Sequence, residues 1–127
     1  MSALSILAIA LGGALGALSR VGLTELSGGD LLHPGTLTIT LLVNVLGAFL
    51  LALLRRHSHR PSSPALVDGI SVGFLGAFTT WSAVMAASTL AYGAGDALLA
   101  IGYLAASVGA GIAVAYIARG PLEETRS

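Results

Sequence analysis

Asn44 stands in the middle of a long apolar run, with Thr40 one helical turn before it. Thr79, Thr80 and Ser82 cluster inside a second such run, and Tyr103 and Ser107 lie four apart in a third. A spacing of four puts both members of a pair on one helical face. All of these side chains donate hydrogen bonds without carrying charge. A desolvated anion needs such groups, because taking an ion out of water is very costly unless donors replace its hydration. A fixed cation would serve as well, but would hold the anion too tightly to release it. The same residue types suit a plainer task, since Asn, Ser and Thr join neighbouring membrane helices through interhelical hydrogen bonds. A lone Ser or Thr fits the plainer task better; a mid-span amide such as Asn44 is expensive enough to favour the first.

A second signal lies in GFLGAFTTWSAV, residues 73 to 84. Gly73, Gly76, Thr79 and Thr80 all lower helix propensity. At membrane depth a helix break is tolerated only where its backbone is buried in protein or lines a cavity. Carbonyls freed at such a break can coordinate a small cation. The alternative is an unbroken helix whose glycines admit a close neighbour, and the residues by themselves leave both readings open.

The elements that must position these groups follow from composition. Of 127 residues, 55% are hydrophobic and only 9% charged, against about a quarter charged in a soluble domain. There is no lysine and no cysteine, which excludes disulfides, thiol catalysis and cysteine-based metal sites. Four stretches are long and apolar enough to cross a bilayer, at roughly 3–19, 36–54, 67–92 and 97–118. The predicted fold is an all-α membrane protein, one four-helix domain over residues 1–127 with no soluble module. The start MSALSILAIA lacks the basic residues of a signal peptide and reads as a retained helix. Pro34 suits the first turn of the second span, and Asp96 suits the N-cap of the fourth. His33, His57 and His59 lack a third ligand nearby and read as solvated. The small-residue pairs Gly12/Gly16, Gly69/Gly73 and Ser107/Gly111 predict close helix packing, within the subunit and against another. Four short helices hardly enclose a pore alone, so an oligomer is expected.

Charge placement sets an orientation. Arg55, Arg56 and Arg60 lie between spans two and three, and Arg119 and Arg126 follow span four. With four crossings that loop and both termini share one side, leaving only Arg20 on the other. The positive-inside rule then places both termini in the cytoplasm. Neither a carboxylate nor a histidine lies deep in a span, as a proton-coupled transporter would need. No convergent nucleophile, base or metal set suggests an enzyme, and nothing points to nucleic acid.

GGALGALSR (12–20), GTLTITLLVNVLGAF (35–49) and GFLGAFTTWS (73–82), in this order on four short spans, resemble the Fluc/CrcB fluoride channel family. The resemblance covers essentially the whole chain. It implies an antiparallel, dual-topology dimer in the cell membrane, with the third helix broken mid-membrane and narrow pores that export fluoride passively. It also implies a structural sodium ion at the dimer centre, held by backbone carbonyls that map to Gly76 and Thr79. The family's pore asparagine maps to Asn44 and its arginine at the end of the first helix to Arg20. Tyr103 and Ser107 resemble the polar donors on its fourth helix. With Thr40, Thr80, Trp81 and Ser82 they make up the expected anion pathway. Fluoride, lipid and an oppositely oriented second subunit are the implied partners.

Two features depart from that pattern. The family's third-helix motif reads T-T-F-S-T-F, and here the two phenylalanine positions hold Trp81 and Val84. Tryptophan keeps a partly positive ring edge and adds an N–H donor, whereas valine offers neither. The arginine split of five to one is also uneven for a chain that would insert both ways. Both departures point to a heterodimer with a homologous, oppositely oriented subunit, the homodimer being the alternative. Two other classes remain for comparison. A small four-helix multidrug-type antiporter would need a membrane-embedded carboxylate, which the first span lacks. A non-conducting structural partner of another channel subunit would tolerate changes at Asn44.

Overall fold

The computed structural model describes residues 2–57 and 63–119; His59, Arg60 and Arg126 lie outside the described residues, and of Arg119 only the backbone is described. The described residues are helical throughout, without a strand. Four helices are long and apolar enough to cross a membrane: Ala3–Leu26, Pro34–His57, Pro64–Gly93 and Ala97–Ala118.

Helix α1 (Ala3–Leu26) starts at Ser2, whose side chain accepts the Ser5 N–H at 3.1 Å. It runs on past Ser19, because no breaker intervenes before the turn at Gly28 and Gly29, whose φ values of +132° and +74° favour glycine. Ser19 and Thr24 satisfy their hydroxyls on carbonyls of their own helix, at 2.8 and 3.0 Å. Arg20 therefore lies inside α1 and is not a charge in the following loop, which corrects its place in the topology count. Helix α2 (Pro34–His57) opens on a proline that needs no intrahelical donor and closes on Arg55, Arg56 and His57, which complement the carbonyl end of the helix.

The third span is assembled from pieces. Helix α3 (Pro64–Asp68) passes into a wider, π-type segment at Gly69–Leu75 and then into the short α4 (Gly76–Phe78). Thr79 and Thr80 follow in extended conformation, and helix resumes as α5 (Trp81–Gly93). A turn with Gly95 at φ +88° leads to α6 (Ala97–Arg119), capped where Asp96 Oδ1 accepts the Leu99 N–H at 2.9 Å.

These pieces divide into two packed halves. In the first, α1 lies against α3, the π segment and α4; in the second, α2 and α5 both pack on α6. Backbone meets backbone in the first half. A side chain at Gly12 would strike the Gly69 carbonyl, one at Gly16 the Phe74 carbonyl, and one at Gly69 would come within 2.9 Å of the Ala8 carbonyl. The pairs Gly12/Gly16 and Gly69/Gly73 thus face each other within one chain. A side chain at Gly111, in contrast, would meet nothing within 4 Å, so Ser107/Gly111 packs nothing inside the chain. In the second half, Val84, Ala87 and Tyr103 form a buried cluster under Leu37, Leu41 and Leu104. Val84 is 0% exposed. It is a core residue, so the departure at Val84 alters no surface that a second subunit could touch. Leu4, Leu7, Leu11, Leu15 and Leu18 form an exposed face of α1, which suits hydrocarbon and not water.

Gly12→Ala and Gly16→Ala should each cost about 1–3 kcal/mol, the range for overpacking a close contact. Gly102→Ala, where nothing lies within 4 Å, should leave stability within about 0.5 kcal/mol. Thermal unfolding in detergent checks both; equal effects at Gly12 and Gly102 would contradict the packing described.

Candidate functional site

The interruption at Thr79 and Thr80 creates the site. Thr79 has φ −78° and ψ 156°, and Thr80 φ −148° and ψ 121°, so the chain runs extended for two residues between α4 and α5. Leaving a helix frees carbonyls on one side and N–H groups on the other, and each needs a partner away from water. The Thr79 N–H and hydroxyl both donate to the Leu75 carbonyl, at 3.1 and 3.0 Å. Thr80 Oγ1 accepts the Ala83 N–H at 3.2 Å, capping α5. Asn44 supplies the rest from α2. Its Oδ1 accepts the Thr80 N–H at 2.7 Å, while its Nδ2 donates to the Thr80 carbonyl at 2.9 Å. Arg20 reaches in from α1, its Nε donating to the Ala77 carbonyl at 3.3 Å. A cation there complements the carbonyl end of α4 and the π segment before it.

Among the described residues, no donor reaches the carbonyls of Gly76, Phe78 or Thr79. Gly76 and Thr79 line an open cleft of about 330 Å³ that also exposes Asn44, Thr80, Trp81 and Ser107. That is room for several waters at about 30 Å³ each, so one chain forms a wall and not a narrow pore. No charged side chain lines this cleft. Asn44 spends one of its two N–H donors on Thr80 and keeps the other. The Ser107 hydroxyl is buried without any hydrogen-bond partner among the described residues. Trp81 is 57% exposed on the rim.

The expected pathway residues are therefore only partly gathered. Asn44, Thr80, Trp81 and Ser107 share the cleft with Gly76 and Thr79. Ser82 is exposed and pairs with the Thr80 hydroxyl at 3.1 Å. Thr40 is buried between helices, away from the cleft lining. Tyr103 donates to the Leu37 carbonyl at 3.2 Å and borders a separate groove with Leu37, Leu41 and Asp96. The shared face of Tyr103 and Ser107 thus serves two different openings one turn apart.

Three residues have roles that the sequence reading does not single out. Gly47, one turn after Asn44, leaves the space that the Thr79 γ-methyl occupies. Thr36 and Ser88 are buried with hydroxyls that find no partner among the described residues. If α2 and α5 run antiparallel from the Asn44–Thr80 pair, Thr36 and Ser88 come to the same height, about 12 Å away at 1.5 Å per residue. An unsatisfied hydroxyl in an apolar core costs about 1–3 kcal/mol. Thr36→Val and Ser88→Ala should therefore leave thermal stability unchanged or raise it; a clear loss would show that each hydroxyl has a partner.

Comparison with known proteins bears on this site. The family model described as "CrcB-like protein, Camphor Resistance (CrcB)" matches residues 7–119. The chain is 46% identical over 100 residues to "Fluoride-specific ion channel FluC 2" of Thermobifida fusca, covering 74% of this chain and 72% of that one. It is 39% identical over 112 residues to "Fluoride-specific ion channel FluC" of Cereibacter sphaeroides, covering 86% of each. A third relative, "Fluoride-specific ion channel FluC 2" of Listeria monocytogenes, is 42% identical over 98 residues, covering 75% of this chain and 72% of that one.

Proposed function

The chain belongs to the CrcB-like family, and from that premise we propose that it is a subunit of a fluoride channel that lets the anion leave the cell passively through the cytoplasmic membrane. It is a multi-pass membrane protein and not an enzyme. The observation that carries the proposal is the convergence of uncommitted neutral donors on one charge-free cleft. Asn44 has an N–H to spare, Ser107 an unpartnered hydroxyl, and Trp81 an indole N–H on the rim. Fluoride is a small, strongly hydrated anion, and these donors replace its water without binding it irreversibly. Arg20, anchored to the Ala77 carbonyl, adds a positive potential beside the path.

The cleft is too open to select an ion by itself, so the working channel is an antiparallel dimer in which a second chain closes it. The break then lies at membrane depth, buried between subunits. The carbonyls of Gly76 and Thr79 suit a sodium ion at the dimer centre, since hard cations take oxygen ligands and these two lack donors. One chain offers two such oxygens and a second chain doubles them. When bound, the ion supplies fixed positive charge that holds the opposed carbonyls together.

Both termini lie in the cytoplasm, with Arg55 and Arg56 at that end and Glu25, Asp30 and Asp96 at the other. That charge asymmetry supports an unequal, oppositely oriented partner; buried Val84 adds nothing to it.

Fluoride efflux from liposomes tests the reading. Asn44→Asp places a like charge about 4 Å from the anion, worth about 4 kcal/mol at an effective dielectric near 20, and should cut efflux about 1,000-fold. Ser107→Ala should lower efflux while leaving thermal stability intact, because that hydroxyl holds nothing else. Unchanged flux in both variants would remove this cleft from the pathway. Robust efflux from the chain reconstituted alone would discard the unequal partner and leave the fluoride reading standing.

A further inference from the structure

Thr79 is held from both branches of its side chain. Its hydroxyl donates to the Leu75 carbonyl at 3.0 Å, and its γ-methyl fills the space where Gly47 has no side chain. A Cβ at position 47 would overlap that methyl. Gly47 is itself buried, so the methyl has no open side to move into. Asn44, three residues earlier on α2, grips the N–H and carbonyl of Thr80. Two consecutive residues of the break are thus seated on two positions of one helix face. A β-branched side chain with both branches engaged has little χ1 freedom, and its backbone is fixed with it.

We infer that Gly47 is a socket for the Thr79 methyl, and that this socket sets the direction of the Thr79 carbonyl relative to that of Gly76. Gly47 is then a positioning residue for the carbonyl pair, acting through Thr79 and touching neither ion. The inference builds on the cation site proposed above. It goes beyond that reading by making a glycine on a different helix the determinant of the site's geometry. Adding a methyl at 47 pushes Thr79 off α2 and swings its carbonyl. Removing the methyl at 79 makes room for it, since serine keeps the hydroxyl that bonds to Leu75.

The test is a knob-and-hole cycle on the full chain: wild type, Gly47→Ala, Thr79→Ser and the double variant. The unfolding temperature is followed against sodium, with N-methylglucamine as the inert cation, and fluoride efflux is measured in parallel. Gly47→Ala should raise the sodium midpoint tenfold or more and depress efflux. Thr79→Ser alone should change either by less than threefold. The double variant should return to within threefold of wild type. If Gly47→Ala does not fold, recovery of folded protein in the double variant is the same result. An unchanged sodium midpoint in Gly47→Ala, or a double variant no better than the single, would overturn the socket. Should the wild type show no sodium stabilisation, the ion reading falls and the rescue pattern in efflux decides the socket. Should it pass no fluoride, the channel reading falls and the sodium midpoint decides. With neither response in the wild type, the socket falls with the site it serves.

Discussion

The paired hydrogen bonds between the Asn44 amide and the Thr80 backbone, 2.7 and 2.9 Å long, are the interaction on which the rest of this structure depends. A chain that leaves helical conformation in a span exposes peptide groups, and each costs several kcal/mol in hydrocarbon if unsatisfied (roughly 2–7 by transfer measurements). A side-chain amide has the same donor and acceptor as a peptide. Asn44 therefore treats Thr80 as a neighbouring strand would, closing one N–H and one carbonyl at a single residue. With Thr80 satisfied, its hydroxyl can cap α5, and the helix restarts at Trp81. Remove the amide and both groups open at once, with no other described donor or acceptor placed to take over.

The break also falls where two kinds of packing meet. Before it, α3, the π segment and α4 lie against α1 through glycines, backbone on backbone, with no side chain to yield. After it, α5 packs on α6 and α2 through ordinary side chains such as Val84, Ala87 and Tyr103. The first contact is stiff because carbonyls cannot change rotamer. The second can adjust. Placing Thr79 and Thr80 at the junction lets the first half hold the Gly76 carbonyl in a fixed frame while α2 sets that of Thr79. Arg20 ties the frames together, since it belongs to α1 but bonds the Ala77 carbonyl at the end of the stiff half.

Much of this is legible in the residues, and the part that is not has a physical reason. Four apolar runs announce four long helices because hydrocarbon demands them. Asn44 stands out because an amide in such a run is expensive, although the residues alone leave its task open between joining helices and meeting an anion. Geometry joins the two tasks: the amide holds Thr80 and still has one N–H to spare. Arg20 misleads, because an arginine soon after a glycine-rich turn of helix looks like a loop charge until the helix is seen to continue to Leu26. Val84 misleads too, since sequence position says nothing about which side of α5 faces the core. Gly47 is invisible, because a missing side chain has meaning only when another residue occupies its space.

One chain leaves its own site unfinished. Gly76 is exposed, the Gly76 and Thr79 carbonyls have no described donor, and Trp81 stands open on the cleft rim. Lipid tails cannot satisfy those oxygens, so this face needs water, an ion or protein against it. Water alone would leave a wide, wet groove with little power to tell one halide from another. Protein alone would bury oxygens against oxygens if the partner presents the same face, and that repulsion needs a cation between them. An ion and a second chain together meet both demands, and each makes the other necessary.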